Sequence, residues 1–162
     1  MLQLAVKDSK WLSVSDWEIK QPKWSRLVEV TETIKKDAIK KHGLKEDEGL
    51  RVMFVCGGDV IDSFSIIKSD GSSLWSRKDV ERICKEGVVC MDRPDTRYKE
   101  TLKNLNLFDY IDKSVFLFKD EICPNNISST RIRQAVKEGI TLKYCTPDLV
   151  SHYITSNSLY LS

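Results

Sequence analysis

Apolar positions along this chain follow two rhythms. Between Pro22 and Gly43 they recur at helical spacing, with Trp24, Leu27, Val28, Thr31, Ile34 and Ala38 on one stripe and lysines opposite. The stripe predicts an amphipathic helix that places Trp24 in the core. Gly43 stops it, and the preceding KKDAIKK run complements the negative end of a helix dipole. Elsewhere the apolar residues come in short unbroken runs. LRVMFVC, Leu50 to Cys56, reads as a strand buried on both faces, and Val88 to Met91 as a second buried strand. SVFLF, Ser114 to Phe118, reads as another, and WLSV, Trp11 to Val14, as a short one.

Polar punctuation separates these runs. Residues 44 to 49 and the KSDGSS stretch are loops, and Ser76 with Asp79 three residues on predicts a capping box for a helix from Arg77 to Glu86, closed by Gly87. Further helices are expected over Thr96 to Leu105 and over Thr130 to Lys137, the latter with Ser129 as N-cap and Gly139 as stop. A last helix is expected to be capped by Thr146, with Pro147 in its first position. Strands alternating with helices predict an α/β fold, a Rossmann-like doubly wound sheet that is mainly parallel.

Composition narrows the function classes. A chain of 162 residues, 41% hydrophobic and 31% charged, suits a single domain over residues 1–162. Its formal charge of +2 gives no argument for a nucleic-acid-coating surface, so an anion site has to be local. Five cysteines at wide spacing, with only His42 and His152 beside them, argue against zinc and a disulfide framework and for a reducing compartment. No run reaches membrane-spanning length, and the opening MLQLAVKDSKW is no signal peptide; the expected location is cytoplasmic or nuclear.

Two motifs fall at the carboxyl ends of predicted strands, where open parallel sheets bind ligands. In VMFVCGGD, Gly57 and Gly58 allow close backbone approach and Asp59 can accept hydrogen bonds from ribose hydroxyls, although the same pattern also ends strands that bind nothing. In NNISSTRIR, the hydroxyls of Ser128, Ser129 and Thr130, the first-turn N–H groups and the guanidinium groups of Arg131 and Arg133 can converge on one anion. A serine cap with two solvated arginines is the plainer alternative. Trp17 and Trp75 stand in loops, where a tryptophan either closes a core or offers a flat platform to a planar ring. No nucleophile with an adjacent base can be assembled, which points to a reaction between two substrates that the protein positions and neutralises.

Taken in order, CGGD, DSF, LW, NNISSTRIR and YCTPDLVSHYI, with the opening KDSKWLSVSDWEIKQPKW, resemble the eukaryotic-type nicotinamide/nicotinate mononucleotide adenylyltransferases over nearly the whole chain. The resemblance implies adenylyl transfer from ATP to nicotinamide or nicotinate mononucleotide with Mg²⁺, yielding NAD and pyrophosphate. It implies ATP binding by Gly57, Asp59, Ser128, Ser129, Thr130, Arg131 and Arg133, with Arg131 and Arg133 catalytic. It implies mononucleotide binding by Trp17, Glu18, Trp75 and Asn125, with the two tryptophans sandwiching the pyridine ring. No metal ligand, nucleic acid or membrane partner is expected, and a homo-oligomer stays open. The family's opening strand and GxFxPxHxxH loop have no counterpart in this sequence, and Asn126 and Gln134 depart from its pattern. The resemblance therefore implies an incomplete domain without meaningful turnover by itself. The competing class is a non-catalytic nucleotide-binding, partner-binding or chaperone-like protein.

Overall fold

The computed structural model describes residues 1–45, 49–122 and 124–161. Helices α1 (Leu2–Ala5), α2 (Leu27–His42), α3 (Gly58–Asp62), α4 (Arg77–Glu86), α5 (Tyr98–Asn104), α6 (Ser129–Lys137) and α7 (Asp148–Ser156) accompany strands β1 (Phe54–Gly57), β2 (Val88–Met91) and β3 (Val115–Phe118). They fall into two compact sets of residues, Gln21–Asn125 and Met1–Lys20 with Asn126–Ser162.

The set from Gln21 to Asn125 holds the sheet, a three-stranded parallel array in the order β1-β2-β3. This is the α/β, Rossmann-like arrangement the alternating pattern predicts. Register places Phe54, Val88 and Val115 in one row and Cys56, Cys90 and Leu117 in another on the same face. That face meets Val28 of α2, Ile61 of α3, Val80, Ile83 and Cys84 of α4, and Leu102 of α5 to form the core. The other face carries Val55, 66% exposed, with Met91 and Phe118 also open. Two-sided burial of the LRVMFVC run is thus corrected: its strand is only Phe54–Gly57, and helices cover one face, so burial alternates along it.

The amphipathic helix is present but begins at Leu27, not near Pro22. Arg26 takes the N-cap place, its backbone N–H donating to the Glu29 carboxylate at 2.9 Å. Gly43 ends α2 in a left-handed conformation, φ 62°, the position where a side chain would cost most. Because the chain is not helical before Leu27, the 3.6-residue spacing does not extend back to Trp24. That residue is 94% exposed rather than in the core.

Helix α4 and strand β2 have the predicted bounds, but the expected capping box is not formed. The Asp79 carboxylate instead accepts from Arg26 Nη1 at 3.2 Å, an ion pair joining the starts of α2 and α4. The guanidinium of Arg51 donates to the Glu86 carbonyl at 2.7 and 3.0 Å and so satisfies an orphan group at the other end of α4. Ser114 Oγ–H donates to the Cys84 carbonyl at 2.6 Å, fixing the entry of β3 to the same helix. Helix α5 is shorter than its expected Thr96 to Leu105 span; Asp62 draws in the Arg97 N–H at 2.7 Å and Thr101 Oγ1 at 3.0 Å.

In the other set, α1 packs against α7. Trp11 to Val14 forms no strand. The Ser9 Oγ accepts from the N–H groups of Trp11 and Leu12 at 3.3 and 2.9 Å, a local turn that competes with extended pairing. Helix α7 starts one residue later than expected, with Pro147 at the cap place and Thr146 directing its hydroxyl to the Pro147 carbonyl. Cys56, Cys84 and Cys90 are free and buried and Cys145 is free and exposed; Cys123, and residues 46 to 48 of the predicted loop, lie outside the described residues. Among the described residues no helix is long and apolar enough to cross a membrane.

Candidate functional site

At the carboxyl ends of β1 and β2 the chain turns abruptly. β1 stops at Gly57, α3 begins at Gly58, and Asp59 lies in its first turn. At Gly58 the surrounding Thr96 and Tyr98 leave no room for a side chain, while at Gly57 a Cβ would meet the ends of two flexible side chains. A Cβ on Gly58 would come within 2.7 Å of Thr96 Oγ1 and Tyr98 Cδ1, and one on Gly57 would meet Asp59 Oδ1 and, at 2.6 Å, Arg93 Nε. At Gly58 the close approach anticipated for a ligand is made by Thr96 and Tyr98, from the segment after β2. Asp59 stays open to solvent, its side chain 58% exposed, with Arg93 Nε 3.7 Å from Oδ1. Burial and the neighbouring Asp92 push the Tyr98 hydroxyl up to about 12, so it stays a neutral wall of this corner.

Trp75 is half-buried and held on two sides. Its Nε1–H donates to Ser63 Oγ at 2.9 Å, and Phe64 packs edge-on at 5.1 Å with 73° between the rings. The remaining surface faces a pocket of about 390 Å³, within the range of small-molecule sites. Trp24, Leu27, Val60, Ser63 and Leu74 line it, together with the ion-paired Arg26 and Asp79. Within this set of residues Trp24, not assigned to any site by sequence reasoning, lines the same pocket as Trp75. The apolar pattern carries no warning of this, because Trp24 falls on the helical stripe and only the later start of α2, at Leu27, takes it off. A cavity of about 80 Å³ between α2, α4 and β1 lies at the amino-terminal end of β1, away from the ligand end of a parallel sheet.

In the other set, α6 begins one residue earlier than the sequence suggests. Ser128 is the N-cap, its Oγ accepting from the Arg131 N–H at 3.2 Å, and Ser129 is the first helical residue. Earlier entry follows from Ser128 being extended, φ −146° and ψ 159°, as an N-cap residue must be. Ser129, Thr130, Arg131 and Arg133 are all exposed, and Arg133 Nη2 donates to Thr130 Oγ1 at 3.4 Å. No carboxylate among the described residues pairs with either guanidinium. Hydroxyls, first-turn N–H groups and two cations thus share one helix start. Trp17 is half-buried and Glu18 opens a single 3₁₀ turn, Glu18–Lys20. Beside them Lys20 Nζ lies 2.6 Å from Asp16 and holds that carboxyl below the usual range. Asn125, exposed, ends the sheet-bearing set.

Arg93 and Asp62 were not singled out from sequence. Arg93 is the second residue after β2, at the same strand end as Asp59, and the carboxyl-end rule applied to β2 would have found it. Asp62 works through the backbone it holds, which no residue pattern reveals.

Comparison with known proteins adds to this geometry. The family described as cytidylyltransferase-like matches over residues 1–135. A protein of Caenorhabditis elegans named nicotinamide/nicotinic acid mononucleotide adenylyltransferase 2 is 35% identical over 99% of this chain and 70% of its own length. One named nicotinamide/nicotinic acid mononucleotide adenylyltransferase in Oryza sativa subsp. japonica is 31% identical over 99% of the chain and 62% of its own length. The Bos taurus nicotinamide/nicotinic acid mononucleotide adenylyltransferase 1 is 26% identical, with all of this chain and 68% of that protein covered.

Proposed function

Because the chain belongs to the cytidylyltransferase-like family, with relatives named as mononucleotide adenylyltransferases, we propose that it serves adenylyl transfer from ATP to nicotinamide or nicotinic acid mononucleotide. The phosphate of the mononucleotide attacks the α-phosphorus of ATP, the bond to the β-phosphate oxygen breaks, and the dinucleotide and pyrophosphate leave. Mg²⁺ enters with the triphosphate as part of the substrate. The family match runs through both compact sets of residues, and we treat residues 1–162 as one nucleotidyltransferase domain.

The observation that carries this reading is the pocket beside Trp75. A planar ring needs an aromatic wall whose orientation is already fixed, and the Ser63 hydrogen bond and the Phe64 edge contact fix Trp75. Trp24 supplies a second indole on the same pocket. We assign the pyridine ring to this pair, with Trp17, Glu18 and Asn125 as further mononucleotide contacts. Gly57 and Asp59 are assigned to the adenosine ribose. Ser128, Ser129, Thr130, Arg131 and Arg133 are assigned to the phosphates, where the two anionic reactants have to be neutralised together. Both arginines are exposed, so they reach the substrate without breaking a carboxylate pair.

The test measures NAD formation from ATP, Mg²⁺ and nicotinamide mononucleotide by the 162-residue chain, and by that chain joined to a family segment bearing the histidine loop. NAD formation by either that falls by on the order of 10²-fold on Arg131→Ala supports the reading. Failure of both proteins to bind either nucleotide would overturn it.

A further inference from the structure

We infer that Arg93 is a positioning residue for nucleotide binding, which holds the Asp59 carboxylate in the orientation that accepts the ribose hydroxyls. The inference rests on the assignment of Asp59 to the ribose. Arg93 reaches Asp59 from a different strand end, with its Nε 3.7 Å from Oδ1, and the guanidinium lies over the Cα of Gly57, where a Cβ would come within 2.6 Å of it. Its own backbone is anchored. The Arg93 carbonyl accepts from Thr96 Oγ1 at 2.7 Å, and Asp62 accepts from the Arg97 N–H and Thr101 Oγ1, so the segment after β2 is tied to α3, the helix that carries Asp59.

An exposed carboxylate otherwise samples several rotamers, and freezing it on binding costs affinity. A guanidinium side chain at its flank restricts that freedom before the ligand arrives. The Arg93 side chain is 36% exposed and Asp59 58%, so the carboxylate keeps solvent-facing surface for a diol. Glycine at position 57 is what lets the two side chains meet. Its backbone, φ −86° and ψ 162°, suits any residue, so its lack of a side chain serves the pair rather than the turn.

The experiment compares binding of ATP and of 2′,3′-dideoxy-ATP, by calorimetry on the purified protein, for the wild type, Asp59→Ala, Arg93→Ala and Gly57→Ala. Arg93→Ala is expected to weaken ATP about tenfold while leaving the dideoxy analogue within about twofold, the loss confined to the hydroxyls. Gly57→Ala should do the same by pushing the pair apart. Melting temperatures of Arg93→Ala and wild type should agree within about 3 °C, because a solvated ion pair adds little to stability. Equal loss of both nucleotides, or no loss, on Arg93→Ala overturns the inference while Asp59→Ala still loses the preference for ATP. If Asp59→Ala keeps that preference, or the wild type shows none, the ribose assignment itself falls.

Discussion

Trp24 and Trp75 show how differently two indoles can be used. Trp75 packs against the core through Phe64 and donates to Ser63, so Trp75→Ala should cost about 3 kcal/mol of stability and also weaken nicotinamide mononucleotide. Trp24 is 94% exposed and contributes to the pocket alone. Trp24→Ala should therefore leave the urea midpoint unchanged and weaken the mononucleotide by roughly 1 to 3 kcal/mol, the scale of one stacking platform. ATP affinity should not move in Trp24→Ala. A lowered midpoint in Trp24→Ala would return that residue to the structural role its helical spacing suggested. The thiols divide in a similar way. Burial pushes Cys84 up to about 11, and the hydrogen bond that the Cys56 thiol donates to Cys90, together with burial, raises Cys56, so neither forms thiolate at neutral pH. A thiol reagent such as DTNB should modify the exposed Cys145 quickly and Cys56, Cys84 and Cys90 only on unfolding; Cys145→Ser should remove one fast equivalent.

At the scale of elements, patterns were legible where one local rule governed and illegible where a distant residue intervened. Strand β2 and helix α4 have the bounds their apolar run and flanking serine and glycine imply. The α4 capping box failed because Arg26, far away in sequence, draws the Asp79 carboxylate to itself. The Trp11 to Val14 strand failed because one serine hydroxyl satisfies two of its N–H groups locally. For α6 the helix was legible and its cap misplaced by one residue, a shift that decides which hydroxyl is occupied. Ser128 Oγ accepts the Arg131 N–H, so Ser128→Ala should lower stability by about 1 kcal/mol. Ser129→Ala should leave stability within about 0.5 kcal/mol while lowering nucleotide affinity, since its hydroxyl is exposed at the helix start. Urea unfolding and ATP titration of the two variants separate these roles; equal stability losses would mean that the cap is shared.

At the scale of the whole molecule, the sequence revealed the fold class and the order of the site motifs but not which sheet face would be covered. An unbroken apolar run signals burial on both sides, yet among the described residues of Gln21–Asn125 helices pack the face with Cys56, Cys90 and Val88. Val55, Met91 and Phe118 lie open on the opposite face, and no described strand pairs with the outer edge of β1. Open apolar sheet surface and unpaired strand edges invite association between copies. The charge that would oppose it is small, +2 formally, and vanishes near pH 8.2. Self-association should therefore grow as pH rises from about 6.5 toward 8.2, with more charge repelling copies at the lower pH. Replacing Val55 and Phe118 together with threonine keeps strand-favouring side chains at both positions while removing apolar area, and should shift the sedimentation distribution toward the monomer at pH 8.2 without lowering the melting temperature. An unchanged distribution in that double variant would place the association, if any is seen, on another surface, and a large fall in melting temperature would show that the face is packed in solution.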